Sequence, residues 1–220
     1  MEFTLAKKIC AEFLGTAGLL TTVIGSGIMG ETLSDGNAAI ALLGNTVATG
    51  AILVVLIWVF GNISGGHFNP AVTLAFLIRK EISRFESLVY VVAQLTGAMF
   101  GMIVAHFMFD QPLFQQSTTT REGFGHWAAE FVATFGLVAT ILGCIRARPN
   151  AVALAVGLYI TAGYWFTAST CFANPAVTIA RGFTDTFSGI QLIDVPAFII
   201  MQFIGSLAAV LVIGWLWQKN

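Results

Sequence analysis

Two heptapeptides, NPAVTLA from Asn69 and NPAVTIA from Asn174, hold the side chains in this sequence best placed for hydrogen-bond chemistry. Asn is a favoured N-cap residue, and Pro suits the first turn of a helix, where its missing N–H has no role. Each segment therefore reads as the start of a short helix, with unpaired N–H groups and roughly half a positive charge at its N-terminus. That is chemistry for orienting neutral solutes, not for moving protons. The acids Glu12 and Glu130 stand in apolar stretches, where an unpartnered carboxylate costs roughly 2.5 to 3.5 kcal/mol. A proton relay would make the chain a transporter. Alternatively, each acid accepts hydrogen bonds from a nearby loop and holds it. Matched copies favour the second reading, because a relay needs no duplicate. Cys10, Cys144 and Cys171, with His67, His106 and His126, show no metal-ligand spacing. No cofactor is expected, and no grouping of nucleophile, base and acid points to an enzyme.

The elements that position these residues are long and apolar. The chain has 220 residues, 57% hydrophobic and 10% charged, with a mean hydropathy of +0.85. A soluble domain needs more charge than this on its surface. Six runs, at 9–29, 38–60, 88–109, 127–145, 151–168 and 195–217, approach the ~20 residues that a membrane-crossing helix needs. They lack the period-two alternation of barrel strands. The expected fold class is an all-α membrane protein whose principal partner is the lipid bilayer. A net charge of −1 gives no reason to expect a nucleic-acid partner.

The chain is also internally duplicated. Residues 11–27 and 129–145 agree at eight of 17 positions, and the Asn-Pro-Ala segments follow 105 residues apart. Gln94, Gly97 and Gly101 then match Gln202, Gly205 and Ala209. Residues 1–110 form a first repeat of three spans and 126–220 a second, within a single domain covering 1–220. Three spans per repeat is an odd number, so the second copy enters the membrane from the opposite side, as an inverted repeat. With both termini cytoplasmic, Lys7, Lys8, Arg79, Lys80, Arg84, Arg146, Arg148 and Lys219 fall inside, and only Arg121 and Arg181 outside. This obeys the positive-inside rule. The stretch 109–125, rich in Gln and Thr, reads as an external loop joining the repeats.

Both Asn-Pro-Ala segments lie between spans, in stretches too short to cross. Inversion brings their N-termini together near the bilayer midplane. Non-helical backbone at that depth must be buried or line a wet passage. Carbonyls of Gly65, Gly66, His67 and Phe68, and of Thr170, Cys171, Phe172 and Ala173, could form a ladder of acceptors, with Asn69 and Asn174 as donors at the centre. Two helix ends directed there disfavour protons and other cations. The pattern implies a pore for neutral hydrogen-bonding solutes.

On these marks the chain resembles the aquaporins, or major intrinsic proteins. The likeness rests on the paired Asn-Pro-Ala motifs, the preceding SGGHF, Glu12 with Glu130, and the matched Gln-x-x-Gly pairs. The resemblance implies six helices plus two re-entrant half-helices, one pore per monomer and a homotetramer. It also implies a selectivity filter at Thr49, Cys171, position 177, and Ala162 or its neighbour Gly163. Most of the family has Arg after the second Asn-Pro-Ala, whereas this chain has Val177. The expectation is a wide, uncharged filter for water, glycerol, urea and metalloid hydroxides such as arsenite, similar to arsenic-resistance-associated members. A secondary transporter, or a channel for weak or methylated acids, stands as the alternative.

Arg181, four residues beyond Val177, is either a displaced charge at the pore mouth or a side chain that snorkels to the headgroups or pairs with Asp185. The second is the expectation. His67 reads as loop packing over a pH gate, and His106 and His126 are expected to meet solvent. Few charges and short loops are consistent with a bacterial inner membrane.

Overall fold

The computed structural model describes residues 3–218, so Lys219 lies outside the described residues. The helices are α1 (Leu5–Leu33), α2 (Ala38–Ser64), α3 (Pro70–Ile78), α4 (Arg84–Met108), α5 (Phe124–Ala147), α6 (Val152–Phe166), α7 (Pro175–Arg181) and α8 (Val195–Leu216). Among the described residues there is no strand. The order long, long, short, long therefore occurs twice.

Local chemistry sets several of these boundaries. The Asn37 side chain accepts from the amides of Ala39 and Ile40 and caps α2. Ser83 accepts from the Glu86 amide at 3.1 Å, opening α4. Gly65, in the left-handed conformation at φ +92°, ends α2 and turns the chain inward. Asn69 and Asn174 cap α3 and α7, each followed by Pro at the first helical position.

Five helices are long and apolar enough to cross a membrane. The sixth span is shorter than its apolar run. Only Val152–Phe166 is α-helical, 15 residues or about 22 Å, with a 3-10 turn at Pro149–Ala151 before it. The half-helices of 9 and 7 residues sit inside the bundle.

Packing within each half follows one plan, with α1 against α2 and α4, and α5 against α6 and α8. Gly97 and Gly101 lie directly on the α1 backbone at Phe13 and Ala17, and Gly205 on the α5 backbone at Phe131. The small residues at four-residue spacing thus let each third span approach its first. Large apolar side chains such as Phe107, Leu211 and Trp215 remain exposed around the outside, on the surface that meets acyl chains.

The ends of the bundle are pinned differently. Lys8 on α1 pairs with Glu86 on α4 at 2.8 Å, and Arg146 on α5 donates to the Trp217 carbonyl at 2.8 Å. At the opposite end, 109–123 lies along 182–191, joined by Gln115 N–H to the Phe183 carbonyl, Ser117 N–H to Gly182 and Gln191 N–H to Thr119.

Candidate functional site

Each re-entrant segment hangs from a buried carboxylate. Glu12 accepts from the amides of His67 (2.9 Å) and Phe68 (2.7 Å), the Ser64 hydroxyl (2.6 Å) and Gln94 Nε2 (2.8 Å). Glu130 accepts from the amides of Phe172 (3.0 Å) and Ala173 (2.9 Å) and from Gln202 Nε2 (2.5 Å). Each Gln also donates to a threonine on its own half-helix, Thr73 at 2.9 Å and Thr178 at 2.8 Å. These bonds fix an unfavourable backbone. Phe68 and Ala173, each just before its Asn, have φ +49° and +48°. Left-handed geometry costs about 1–2 kcal/mol per residue. Hydrogen bonds to a charged group contribute about 1.5–3 kcal/mol each, so the carboxylates prevail.

The two tips are also tied to each other. Asn69 Nδ2 donates to the Ala173 carbonyl at 2.7 Å, and Asn174 Nδ2 donates to the Phe68 carbonyl at 2.8 Å. Each Asn Oδ1 meanwhile accepts from its own half-helix, from Ala71 N–H at 2.8 Å and from Ala176 N–H at 3.0 Å. One Nδ2 proton per Asn is left over, and both Asn side chains border a cavity of about 590 Å³. That cavity runs from Trp58, Asn62, Pro149 and Asn150 at one end, past the Asn pair, to Phe172 and Arg181 at the other. Val156, Ile160, Leu53 and Leu137 make much of its wall apolar. A small solute there finds a few fixed donors and acceptors between greasy surfaces.

A family model described as "Major intrinsic protein" matches residues 1–151 and 146–220. The chain belongs to the major intrinsic protein family. It is 52% identical over 217 residues to "Aquaglyceroporin AqpS" of Rhizobium meliloti (strain 1021), covering 99% of this chain and 93% of that one. It is 35% identical over 198 residues to "Aquaporin NIP2-3" of Zea mays, covering 86% of this chain and 64% of that one. The X-ray structure of the aquaglyceroporin from Plasmodium falciparum superposes with a TM-score of 0.72 at 21% identity, over 94% and 95% of the two chains, a likeness of fold. Members of this family are channels, not enzymes, and the all-helical fold with its half-helices agrees with that membership.

Within this family member the predicted site residues fall as follows. Thr49, Cys171 and Val177 line the cavity. Gly65, Gly66, His67, Phe68 and Phe172 do so too. His67 is stacked on Phe76 at 4.5 Å, with Nδ1 3.1 Å from the Thr73 hydroxyl, which fits loop packing. Thr170 and Ala173 are not on the wall, and the carbonyls of Phe68 and Ala173 are already taken by the opposite Asn. The acceptor ladder is therefore less continuous than expected, because left-handed residues swing successive carbonyls to different sides.

Several expectations need correction. Ala162 is exposed on the outer face of α6 and does not reach the cavity. It lies two residues, about 200° of helix, from both Ile160 and Tyr164, which do. Its neighbour Gly163 packs instead against Cys171, whose Sγ would lie 2.5 Å from an added Cβ. His106, expected in solvent, is fully buried, 3.0 Å from the Leu113 carbonyl through Nδ1 and 2.7 Å from the Thr184 hydroxyl through Nε2. It anchors the loop that follows it.

The outer end of the cavity, one turn beyond Val177, carries a charge. Arg181 is 2% exposed and borders the cavity. Its guanidinium lies 3.4 Å from the centre of the Phe172 ring, and its Nε donates to the Ser188 carbonyl. It neither snorkels nor pairs with Asp185. That carboxylate, held below its ordinary range by the Thr118 amide and hydroxyl at 2.8 and 2.9 Å, is turned to the loop. Sequence reasoning also missed Tyr164, 3.2 Å from the Thr49 hydroxyl, and Arg121, 4.9 Å from the same Phe172 ring. α6 is apolar on all sides, so no period in its sequence marks Tyr164 as inward-facing. Arg121 sits in irregular chain, where no period exists to read.

Proposed function

We propose that this major intrinsic protein is a passive channel for water and small neutral solutes such as glycerol, urea and undissociated metalloid hydroxides, arsenite among them. The observation that carries this reading is the cavity itself, with the two Asn side chains at its centre and Val177 on its wall where most of the family has Arg. Val is smaller than Arg and donates no hydrogen bond, so the pore at that level has more room and lower polarity. In this reading Thr49, Cys171, Val177, Ile160 and Tyr164 form the size filter, and Glu12 and Glu130 support the loops without relaying protons. Four copies assemble, each with its own pore. They sit in a bacterial inner membrane with both termini in the cytoplasm.

The test is stopped-flow light scattering on proteoliposomes under water, glycerol and urea gradients. Wild type passes all three. Val177→Arg retains water flux and loses glycerol and urea by about tenfold or more, a barrier increase of about 1.4 kcal/mol. Wild-type vesicles that pass water alone would overturn the solute claim. Accumulation of solute against its gradient would instead establish a transporter.

A further inference from the structure

We infer that Arg181 supplies the positive charge that position 177 lacks, so that charge selection in this channel takes place one helical turn outward from size selection. The inference rests on the channel reading above and adds to it a residue that decides which charges pass.

Four residues separate Val177 from Arg181 on α7, about 6 Å along the helix and about 40° around it, so both look towards one wall of the passage. Arg181 is buried yet borders the cavity. Nε alone is engaged, by the Ser188 carbonyl, and the terminal amino groups donate to none of the described residues. The plane is held on the Phe172 ring, which packs edge-on against Phe198 with centroids 5.3 Å apart. Ser188, the acceptor, is itself fixed by its hydroxyl donating to the Val23 carbonyl at 3.1 Å.

Among the described residues no carboxylate forms an ion pair with Arg181. Arg121 does not cancel the charge but adds to it. Its guanidinium stands 4.9 Å from the same ring, donating from Nε to the Gly189 carbonyl at 2.8 Å, while Asp194 accepts only its backbone N–H. Arg181, buried on the cavity wall, and Arg121, half-buried behind the same ring, are held by carbonyls and form a fixed positive field at the outer end of the cavity. An entering cation must shed water against that field, whereas glycerol or urea meets only donors. A side chain kept for packing alone would have its charge paired or directed to bulk water. This one has neither.

The experiment measures two fluxes in the same proteoliposomes: glycerol-driven swelling, and proton and sodium leak under a valinomycin-set potassium potential. Arg181→Gln keeps a donor for Ser188 without the charge, Arg181→Met keeps the apolar stem alone, and Arg181→Lys keeps the charge. Gln and Met are expected to raise cation leak per unit of glycerol flux roughly tenfold, and Lys to keep the wild-type ratio. In Val177→Arg combined with Arg181→Gln, where the charge moves one turn inward, leak returns to the wild-type level. A Gln or Met variant that passes glycerol normally and is as cation-tight as wild type overturns the inference. So does a Lys variant that passes glycerol normally and leaks as Gln does. Loss of glycerol flux already in wild type would instead defeat the channel reading.

Discussion

At the scale of single residues, the site is governed by which polar groups are already satisfied. Asn69 and Asn174 spend Oδ1 on their own helices and one Nδ2 proton on the opposite loop, so each offers a solute a single oriented donor. Cys171 is the residue whose chemistry can report on the pore. It is 3% exposed, yet borders the cavity, while Cys10 faces outward and Cys144 is half-buried away from it. A small mercurial added from outside is therefore expected to block most solute flux within minutes. Cys171→Ser should resist the block at near-normal flux, since the hydroxyl is no larger than the thiol. Equal inhibition of wild type and the Ser variant in the stopped-flow assay would remove Cys171 from the pore wall.

At the scale of elements, close helix contact decides whether the loops can meet. The α1–α4 crossing depends on Gly101, where an added Cβ would strike the Ala17 carbonyl, and on Gly97 against Phe13. Overpacking of this kind typically costs about 1–3 kcal/mol. Gly101→Ala should lower the melting temperature in detergent by several degrees. Gly143→Ala, whose added Cβ meets nothing within 4 Å, should leave it unchanged. Equal melting of the two variants would mean that the crossing relaxes at no cost. The consequence for function follows from Glu12, which sits on α1 between the first re-entrant segment and Gln94 of α4. Displacing α1 from α4 also separates Glu12 from Gln94, now 2.8 Å apart, and loosens the first loop.

At the scale of the whole molecule, charge is sorted by end. Lys7, Lys8, Arg79, Lys80, Arg84, Arg146 and Arg148 cluster where α1 begins and α5 ends, with Glu86 the partner of Lys8. The end built from 109–123 and 182–191 carries Arg121 and Arg181, both held by backbone carbonyls. If the basic end is cytoplasmic, Asp35→Cys in the α1–α2 turn will react with a membrane-impermeant maleimide on intact cells. Glu81→Cys, at the exposed turn after α3, will react only after permeabilisation. The opposite pattern reverses the topology. Light scattering of the detergent-solubilised protein should give the mass of four copies, and a monomer mass would exclude the tetramer.

Much of this was legible in the sequence because it depends on short-range chemistry. Apolar length identifies spans, Asn-Pro identifies a capped helix start, and matched Glu12 and Glu130 identify two similar loops. These signals need only a residue and its neighbours along the chain. The wall of the pore was legible only in part. Ile160 and Tyr164 replace Ala162 because the rotation of α6 about its axis is set by packing against α2 and α5, and a uniformly apolar helix does not encode that rotation. Arg181 turns inward because Phe172 and the Ser188 carbonyl, from separate segments, form a seat that exists only once the chain has folded. His106 is buried because Thr184, 78 residues away, supplies a hydroxyl to it. The sequence by itself determined the spans, their duplication and the two capped helix starts, all products of local hydrogen bonding and apolar length. Only the tertiary structure decided which side chains face the passage and where its charge lies, because those depend on contacts between segments far apart in the chain.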